Sequence, residues 1–495
     1  MFQGYESTRD SNIKSTASKA VLKGIADDGG LYVMRDLDIK KINIEKLLNK
    51  SYIEIAEIIL NEMLDDFTTN KVNECVLKAY TNKFSNDEIT PIVQVGNSYI
   101  TELFHGPTSA FKDVALSILP HLMTASYEMN DISGEVIILT ATSGDTGKAA
   151  LEGFKDVKGT KIAVFYPDGG VSEVQKAQMI TQEGSNTYVC AINGNFDDAQ
   201  TGVKKIFTNE KLIREFKENN KIFSSANSIN VGRLIPQIVY YFYTYINLVE
   251  KKAIKLMDKV NFSVPTGNFG NILAGYYAKM LGLPINKLIC GSNENNVLYD
   301  FINTGVYDRN RKFYKTITPS MDILVSSNLE RLLFYISGKN NERVKALMEQ
   351  LNSSGKYEIS SEMKEKINND FYAGCVFKED TEKTIKETFE NYGYLLDTHT
   401  AVAYKTLEQY KEETKDNTVS IVLSTASPYK FSRSVYEALY GNTNKNEFEI
   451  MQELSEKTKV NIPENLKGLN NKTIRHTKVC DKNEMEVYVR TIGEI

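Results

Sequence analysis

The sequence predicts an α/β protein of doubly wound, mostly parallel sheets, with a small N-terminal domain and a helical insertion. Two patterns carry this. From about residue 95 to 300, short β-rich runs alternate with helical stretches, which is how parallel strands joined by crossover helices read. Each main strand run is also followed at once by a loop dense in glycine or hydroxyl residues, where the strands of an open sheet present ligand sites. At 495 residues, 41% hydrophobic and 25% charged, the chain can bury sizeable cores, and a disordered or fibrous protein is excluded.

Residues 1–94 read as a mostly helical domain. Tyr52, Ile55, Ala56, Ile59, Leu60 and Met63 recur at three- and four-residue steps as one apolar stripe. Asp27-Asp28-Gly29-Gly30 reads as a turn feeding a short strand at Leu31-Tyr32-Val33. Residues 95–325 form the expected α/β core. Its strand runs are Glu135–Thr142, Thr160–Tyr166 and Phe262–Thr266, with helix formers over Lys148–Phe154 and Ile272–Leu281. Residues 326–395 are rich in lysine and glutamate and read as an inserted helical subdomain, with Leu329, Leu332, Leu333 and Ile336 on one face. Residues 396–495 return to the core through the strand Val419–Leu423 and end in a charged tail.

Lys plus Arg is 59 and Asp plus Glu is 64, a net charge of −5, so no global basic field invites nucleic acid. No apolar run approaches the ~18 residues of a membrane span. The polar start MFQGYESTRDSNIK lacks a signal-peptide core. Five dispersed cysteines fit free thiols in a reducing compartment, so a cytoplasmic location is expected. The four histidines make no metal-ligand spacing, and no metal is expected.

Four loops are candidates for chemistry. Thr140–Gly147 (TATSGDTG) could hold a carboxylate on hydroxyls and helix N–H groups, or simply cap the next helix. It fails as a nucleotide P-loop, because Thr142 stands where glycine is needed and Ala149 where Ser or Thr is needed. Gly267-Asn268-Phe269-Gly270-Asn271 reads either as a phosphate cradle at a helix start or as an ordinary turn. In His105–Asp113 (HGPTSAFKD), Lys112 falls near a helix N-terminus, which disfavours its charged form; the alternative is a solvated surface lysine. Ser424-Thr425-Ala426-Ser427-Pro428 reads as a strand-ending turn whose hydroxyls could meet a ligand.

Taken in order, YESTR, DGGL, GPTSAFKDVAL, TATSGDTGKAA, NSINVGR, PTGNFGN, THTAVAY and STASP resemble the threonine synthase family, pyridoxal-phosphate (PLP) enzymes of the tryptophan-synthase-β-like fold group. The resemblance covers most of the chain, and Asp145 is similar to the longer branch of that family. It implies conversion of O-phospho-L-homoserine and water to L-threonine and phosphate. It implies Lys112 as the amine that holds pyridoxal 5′-phosphate as a Schiff base and carries protons. Gly267, Asn268, Phe269, Gly270 and Asn271 would cradle the cofactor phosphate, and Thr425 would meet the ring nitrogen. Thr142, Ser143, Asp145 and Thr146 would surround the substrate carboxylate, and Asn227, Ser228 and Arg233 would bind the substrate phosphate. Ser427 and Tyr429 depart from the family's usual residues in the last loop, as do Val33-Met34 after GGLY. The same-fold alternatives are a serine/threonine dehydratase, an amino-phospholyase or a non-catalytic metabolite-binding relative. Monomer and homodimer are both open.

Overall fold

The computed structural model describes residues 4–132 and 134–495; the first three residues of the polar start lie outside them. The expected alternation resolves into two sheets. One has five parallel strands in the order Lys478–Asp481, Thr187–Asn193, Thr160–Pro167, Glu135–Ala141, Lys221–Ser225. The other has six, in the order Phe371–Cys375, Ile285–Ser292, Val260–Pro265, Ser420–Ser424, Ser98–Glu102, Ile92–Val95. All its pairings are parallel except the edge hairpin Ile92–Val95 with Ser98–Glu102.

Strand order fixes where ligands can sit. In the five-stranded sheet, connections run one way from Glu135–Ala141 and the fourth strand, Lys221–Ser225, returns to its other side. Such a reversal opens a crevice beyond the carboxyl ends of the two strands. The loops at that crevice are TATSGDTG and ANSINVGR. In the six-stranded sheet, Ser420–Ser424 inserts between Val260–Pro265 and Ser98–Glu102. The carboxyl ends of those three neighbours lead into STASP, TGNFGN and LFHGPTSAFK.

The helix Pro236–Glu250 packs against the helices Tyr52–Met63 and Gly270–Met280, and its buried residues lie on all sides, as expected of a helix enclosed by core rather than resting on it. In the N-terminal region the apolar stripe forms the buried face of the helix Tyr52–Met63, opened by a capping box between Ser51 and Glu54. That region also carries a three-stranded antiparallel sheet of Tyr5–Ser7, Lys14–Ser15 and Tyr32–Met34; the last is the short strand expected after the Asp-Asp-Gly-Gly turn, one residue later than read, while the other two are too short to announce in sequence.

Residues 326–395 hold the helices Leu329–Ile336, Asn341–Ser354, Ser361–Asp370 and Lys378–Tyr392, with Leu329, Leu332, Leu333 and Ile336 all buried. They also hold two strands: Lys356–Glu358 pairs with Val306–Asp308, and Phe371–Cys375 extends the six-stranded sheet. The charged tail sends Lys478–Asp481 to the edge of the five-stranded sheet and covers it with the helix Met485–Gly493. No described helix is long and apolar enough to cross a membrane.

Candidate active site

The strand-end loops meet around one cavity of about 280 Å³. Its wall includes Lys112, Thr142, Ser143, Thr146, Asn227, Ser228, Arg233, the whole run Gly267–Asn271, and Thr425. Thirteen of the fourteen expected residues therefore share one space, and the fourteenth, Asp145, lies beneath it against Lys112.

Lys112 is the first residue of the short helix Lys112–Leu116. It arrives there because the GPTSAFK and STASP loops are strapped together. Phe111 N–H donates to Thr425 O (2.8 Å), Ser427 N–H donates to Ser109 O (3.0 Å), and Ala110 bridges Ala426. Ser109 holds the left-handed conformation, φ 59°, which costs a residue with a Cβ about 1 kcal/mol or more. Asn465 from the tail secures it, accepting from Ser109 Oγ (2.8 Å) and donating to Pro107 O (2.6 Å).

The amine of Lys112 sits among charges. Asp145 Oδ2 is 3.7 Å from Nζ, and Asp145 Oδ1 is 2.9 Å from the Nζ of Lys430, a fully buried lysine. Burial drives the Lys112 pKa down to about 8, Arg233 and Lys430 push the same way, and Asp145 only partly opposes them. For Asp145, burial favours the neutral acid, but Lys430 and Lys112 outweigh it and hold the carboxylate well below its usual range. Gln175 Nε2 also donates to it at 2.9 Å. Asp145 is thus a buried anion between two lysines, next to the cavity wall that Ser143 and Thr146 line.

On the opposite side Lys112 Nζ donates to Ser320 Oγ (3.3 Å), and Ser320 N–H donates to His399 Nε2 (3.1 Å). That bond makes Nε2 an acceptor, so the ring proton belongs on Nδ1, 3.2 Å from Asp397 Oδ1. Asp397 caps the helix Thr398–Thr414, accepting from the N–H groups of His399 and Thr400, which turns the His399 ring into the site.

The Gly267–Asn271 loop is built to present amides. Gly267 O accepts from Ser326 Oγ (2.7 Å), and Asn268 O accepts from Asn328 N (3.1 Å) and Nδ2 (3.0 Å). Carbonyl and amide of one peptide point in opposite directions, so the following N–H groups of Asn268 and Phe269 face the other way. Phe269, at φ 63°, is the left-handed N-cap of the helix Gly270–Met280. A Cβ on Gly267 would lie 2.4 Å from Ser320 O, so only glycine fits there. Asn271 Oδ1 accepts from Tyr240 OH (2.6 Å) and Tyr241 OH (3.2 Å), while its buried Nδ2 has no partner among the described residues.

Arg233 supplies the second anion feature. Its Nη1 donates to Ala226 O (2.8 Å), its buried Nε is unpartnered, and no carboxylate pairs with it among the described residues. Burial alone brings its pKa down to about 10. A guanidinium enclosed without a counter-ion is a site made for an arriving anion.

In the TATSGDTG turn, Gly144 (φ 136°) lets the chain reverse so that Thr142 Oγ1 accepts from the N–H groups of Gly144 and Gly147, both at 2.9 Å. Thr142 thus shapes the turn, and Ser143 and Thr146 are the hydroxyls left facing the cavity.

A family model described as threonine synthase N terminus matches residues 4–80, and one described as threonine synthase, C-terminal, matches residues 400–491. The threonine synthase of Saccharomyces cerevisiae is 36% identical over 474 residues, covering 89% of this chain and 90% of that protein. The chain belongs to the threonine synthase family. The solved PLP-bound threonine synthase of Brucella melitensis superposes with a TM-score of 0.88 at 35% identity, over 100% of both chains. The human protein called threonine synthase-like 1 is 39% identical over 436 residues, 85% of this chain. The chain spans 58% of the length of that longer relative.

Within this threonine synthase framework, sequence reading missed Ser320, His399, Asn328 and Lys430. His399 carried a signal, since it lies in THTAVAY. Lys430 follows STASP by one residue after Tyr429 and reads as a surface lysine until the fold buries it against Asp145. Ser320 and Asn328 flank a segment without periodicity and gave none.

Proposed function

We propose that the protein converts O-phospho-L-homoserine and water to L-threonine and phosphate, with pyridoxal 5′-phosphate as its cofactor. The observation that carries this reading is the convergence of two anion sites on one buried lysine. The amide loop Gly267–Asn271 and the unpaired Arg233 line the same cavity as Lys112, which is what a phosphorylated cofactor and a phosphorylated substrate require.

The residues fit the cofactor. Lys112 would hold its aldehyde carbon, Gly267–Asn271 with the orphaned Asn271 Nδ2 its phosphate, and Thr425 its ring nitrogen. When bound, pyridoxal phosphate supplies an electron sink for carbanion chemistry on the substrate. A neutral hydroxyl at the ring nitrogen, unlike a carboxylate, leaves that nitrogen largely unprotonated and moderates the sink. Lys112, with a pKa of about 8, keeps about a tenth of its amine free at pH 7, enough to take a proton and return it. Ser320, fixed by His399, holds that amine on one side and Asp145 on the other.

Ser143 and Thr146 would take the substrate carboxylate at the positive end of the helix Asp145–Phe154. Asn227, Ser228 and Arg233 would bind the substrate phosphate, and Arg233 would stabilise its growing charge as it departs. The five cysteines are free, in keeping with a cytoplasmic enzyme.

The test uses the purified protein with phosphohomoserine, following threonine and inorganic phosphate together. Equal release of both is expected, and borohydride reduction should fix a pyridoxyl label on Lys112. Ammonia and a keto acid in place of threonine would establish a dehydratase instead. A label on another residue would overturn the site assignment.

A further inference from the structure

Asn328 stands at the junction of the two anion loops and has no place in the chemistry described so far. It is fully buried just before the helix Leu329–Ile336. Its side-chain Nδ2 donates to Ser228 O (3.1 Å) and to Asn268 O (3.0 Å). One amide group therefore spends its two hydrogens on two loops, one beside Arg233 and one in the glycine cradle.

The orientation of that amide is itself fixed. Arg331, fully buried, donates from Nη1 to Asn328 Oδ1, so the oxygen cannot exchange places with the nitrogen. Its other donors go to Ile229 O (2.6 Å) and Tyr32 O (2.9 Å). Arg331 has no carboxylate partner among the described residues, so its charge is spread over carbonyl oxygens. Those bonds turn the backbone carbonyls of both loops towards Asn328 and Arg331, and the amides that follow them away.

We propose that Asn328, held by Arg331, is a positioning residue that couples the two anion loops, so that an anion bound at Arg233 tightens the grip of the glycine loop on the cofactor phosphate. The inference rests on the proposed function, since it takes the two anions to be cofactor and substrate phosphate. Reciprocity follows: cofactor in its loop also prepares the Arg233 loop for its anion.

The test is cofactor loss from the holoenzyme into an excess of a cofactor-free acceptor enzyme, with and without saturating inorganic phosphate. In the wild type, phosphate should slow loss at least about fivefold, the lower end of ordinary coupling between sites. In Asn328→Asp the shape and the contact with Arg331 persist, but both donors are gone, and the ratio should fall to about one. The KM for phosphohomoserine should rise more than kcat falls.

Three outcomes overturn the proposal. Phosphate slows loss equally in wild type and Asn328→Asp, so the loops couple without this residue. Phosphate leaves wild-type loss unchanged, or hastens it, although it inhibits turnover competitively. Or kcat falls while the KM and the loss ratio stay put, as a purely structural residue would give. The wild-type arm decides even where the variant fails to fold. If phosphate neither inhibits nor is released by the wild type, the proposed function itself has failed, a result distinct from all three.

Discussion

The amine that makes Lys112 useful should make the cofactor-free protein less stable. Its pKa in the fold is about 8, against about 10.4 for a lysine in an unfolded chain. Keeping the proton at pH 7 in the folded state therefore opposes folding by about 3 kcal/mol, at ~1.4 kcal/mol per pKa unit. The attraction of Asp145 is already contained in that value, because it acts on the same proton. Lys112→Met keeps the unbranched stem and removes the charge, and Asp145 retains Lys430 at 2.9 Å and Gln175. The variant, though inactive, should exceed the cofactor-free wild type by up to about 3 kcal/mol at pH 7. The sign with pH follows from proton counts. Between about pH 8 and 10 the unfolded wild type still binds a proton that the folded form has released, so wild-type stability rises through this window. The Met variant has no such term, and its advantage should shrink towards zero near pH 10. Urea unfolding of both proteins at pH 7, 8.5 and 10 measures this. Tyrosines and cysteines that titrate at high pH are common to both and cancel in the difference. A variant no more stable at pH 7, or an advantage constant with pH, refutes the claim that Lys112 is buried at its charge's expense.

Two further substitutions examine the charges on either side of that amine. Arg233→Ala should raise the KM for phosphohomoserine about a hundredfold, the loss of two charge-assisted hydrogen bonds, while the protein retains its cofactor absorbance; steady-state kinetics and a spectrum check this, and an unchanged KM counts against the role. Lys430→Met should cost about 3–5 kcal/mol in urea unfolding at pH 7, because it strands Asp145 without its nearer cation; a loss below about 1 kcal/mol would mean that Asp145 finds its compensation elsewhere.

The fold was legible where strands were long and buried. Glu135–Ala141 and Thr160–Pro167 read as continuous apolar runs because helices cover both faces of their sheet. Phe371–Cys375 was hidden inside a lysine- and glutamate-rich stretch, since five residues with a central Ala-Gly pair carry no period. Lys478–Asp481 was hidden because an edge strand with three exposed residues looks like a loop. The site was legible where backbone geometry demands particular residues, as at Gly267 and Gly144. Lys430 and Asn328 were not, because burial of a polar side chain depends on partners distant in sequence, Asp145 for Lys430 and Ser228 and Asn268 for Asn328, and leaves no local pattern. Asp145 shows the difference most clearly. The motif places it beside the substrate, and the fold adds what the motif does not announce, an ion pair with Lys430 from a distant loop.

The arrangement has a single electrostatic logic. Lys112, Lys430 and Arg233 are all buried near the cavity, and of the carboxylates there Asp145 is the one held well below its usual range. Asp113, the residue after Lys112, is raised by burial to about 6, remains mostly ionised at pH 7, and accepts from Thr108 N–H and Oγ1. Lys112 and Lys430 thus have Asp145 within reach, whereas Arg233 has no carboxylate partner among the described residues. Arg233 is 4% exposed, and burial lowers its pKa to about 10. Two residues with side chains, Ser109 and Phe269, also hold left-handed conformations at the loops that form the cavity. Each of these costs opposes folding of the protein, and the unpaired guanidinium is the one that an arriving anion would relieve. A ligand with two well-separated negative groups could meet both the amides of the Gly267–Asn271 loop and the guanidinium of Arg233, where a ligand with one could meet only one of them. If the proposed function holds, selectivity for a phosphorylated substrate over its unphosphorylated counterpart should rest on this buried, unpaired guanidinium.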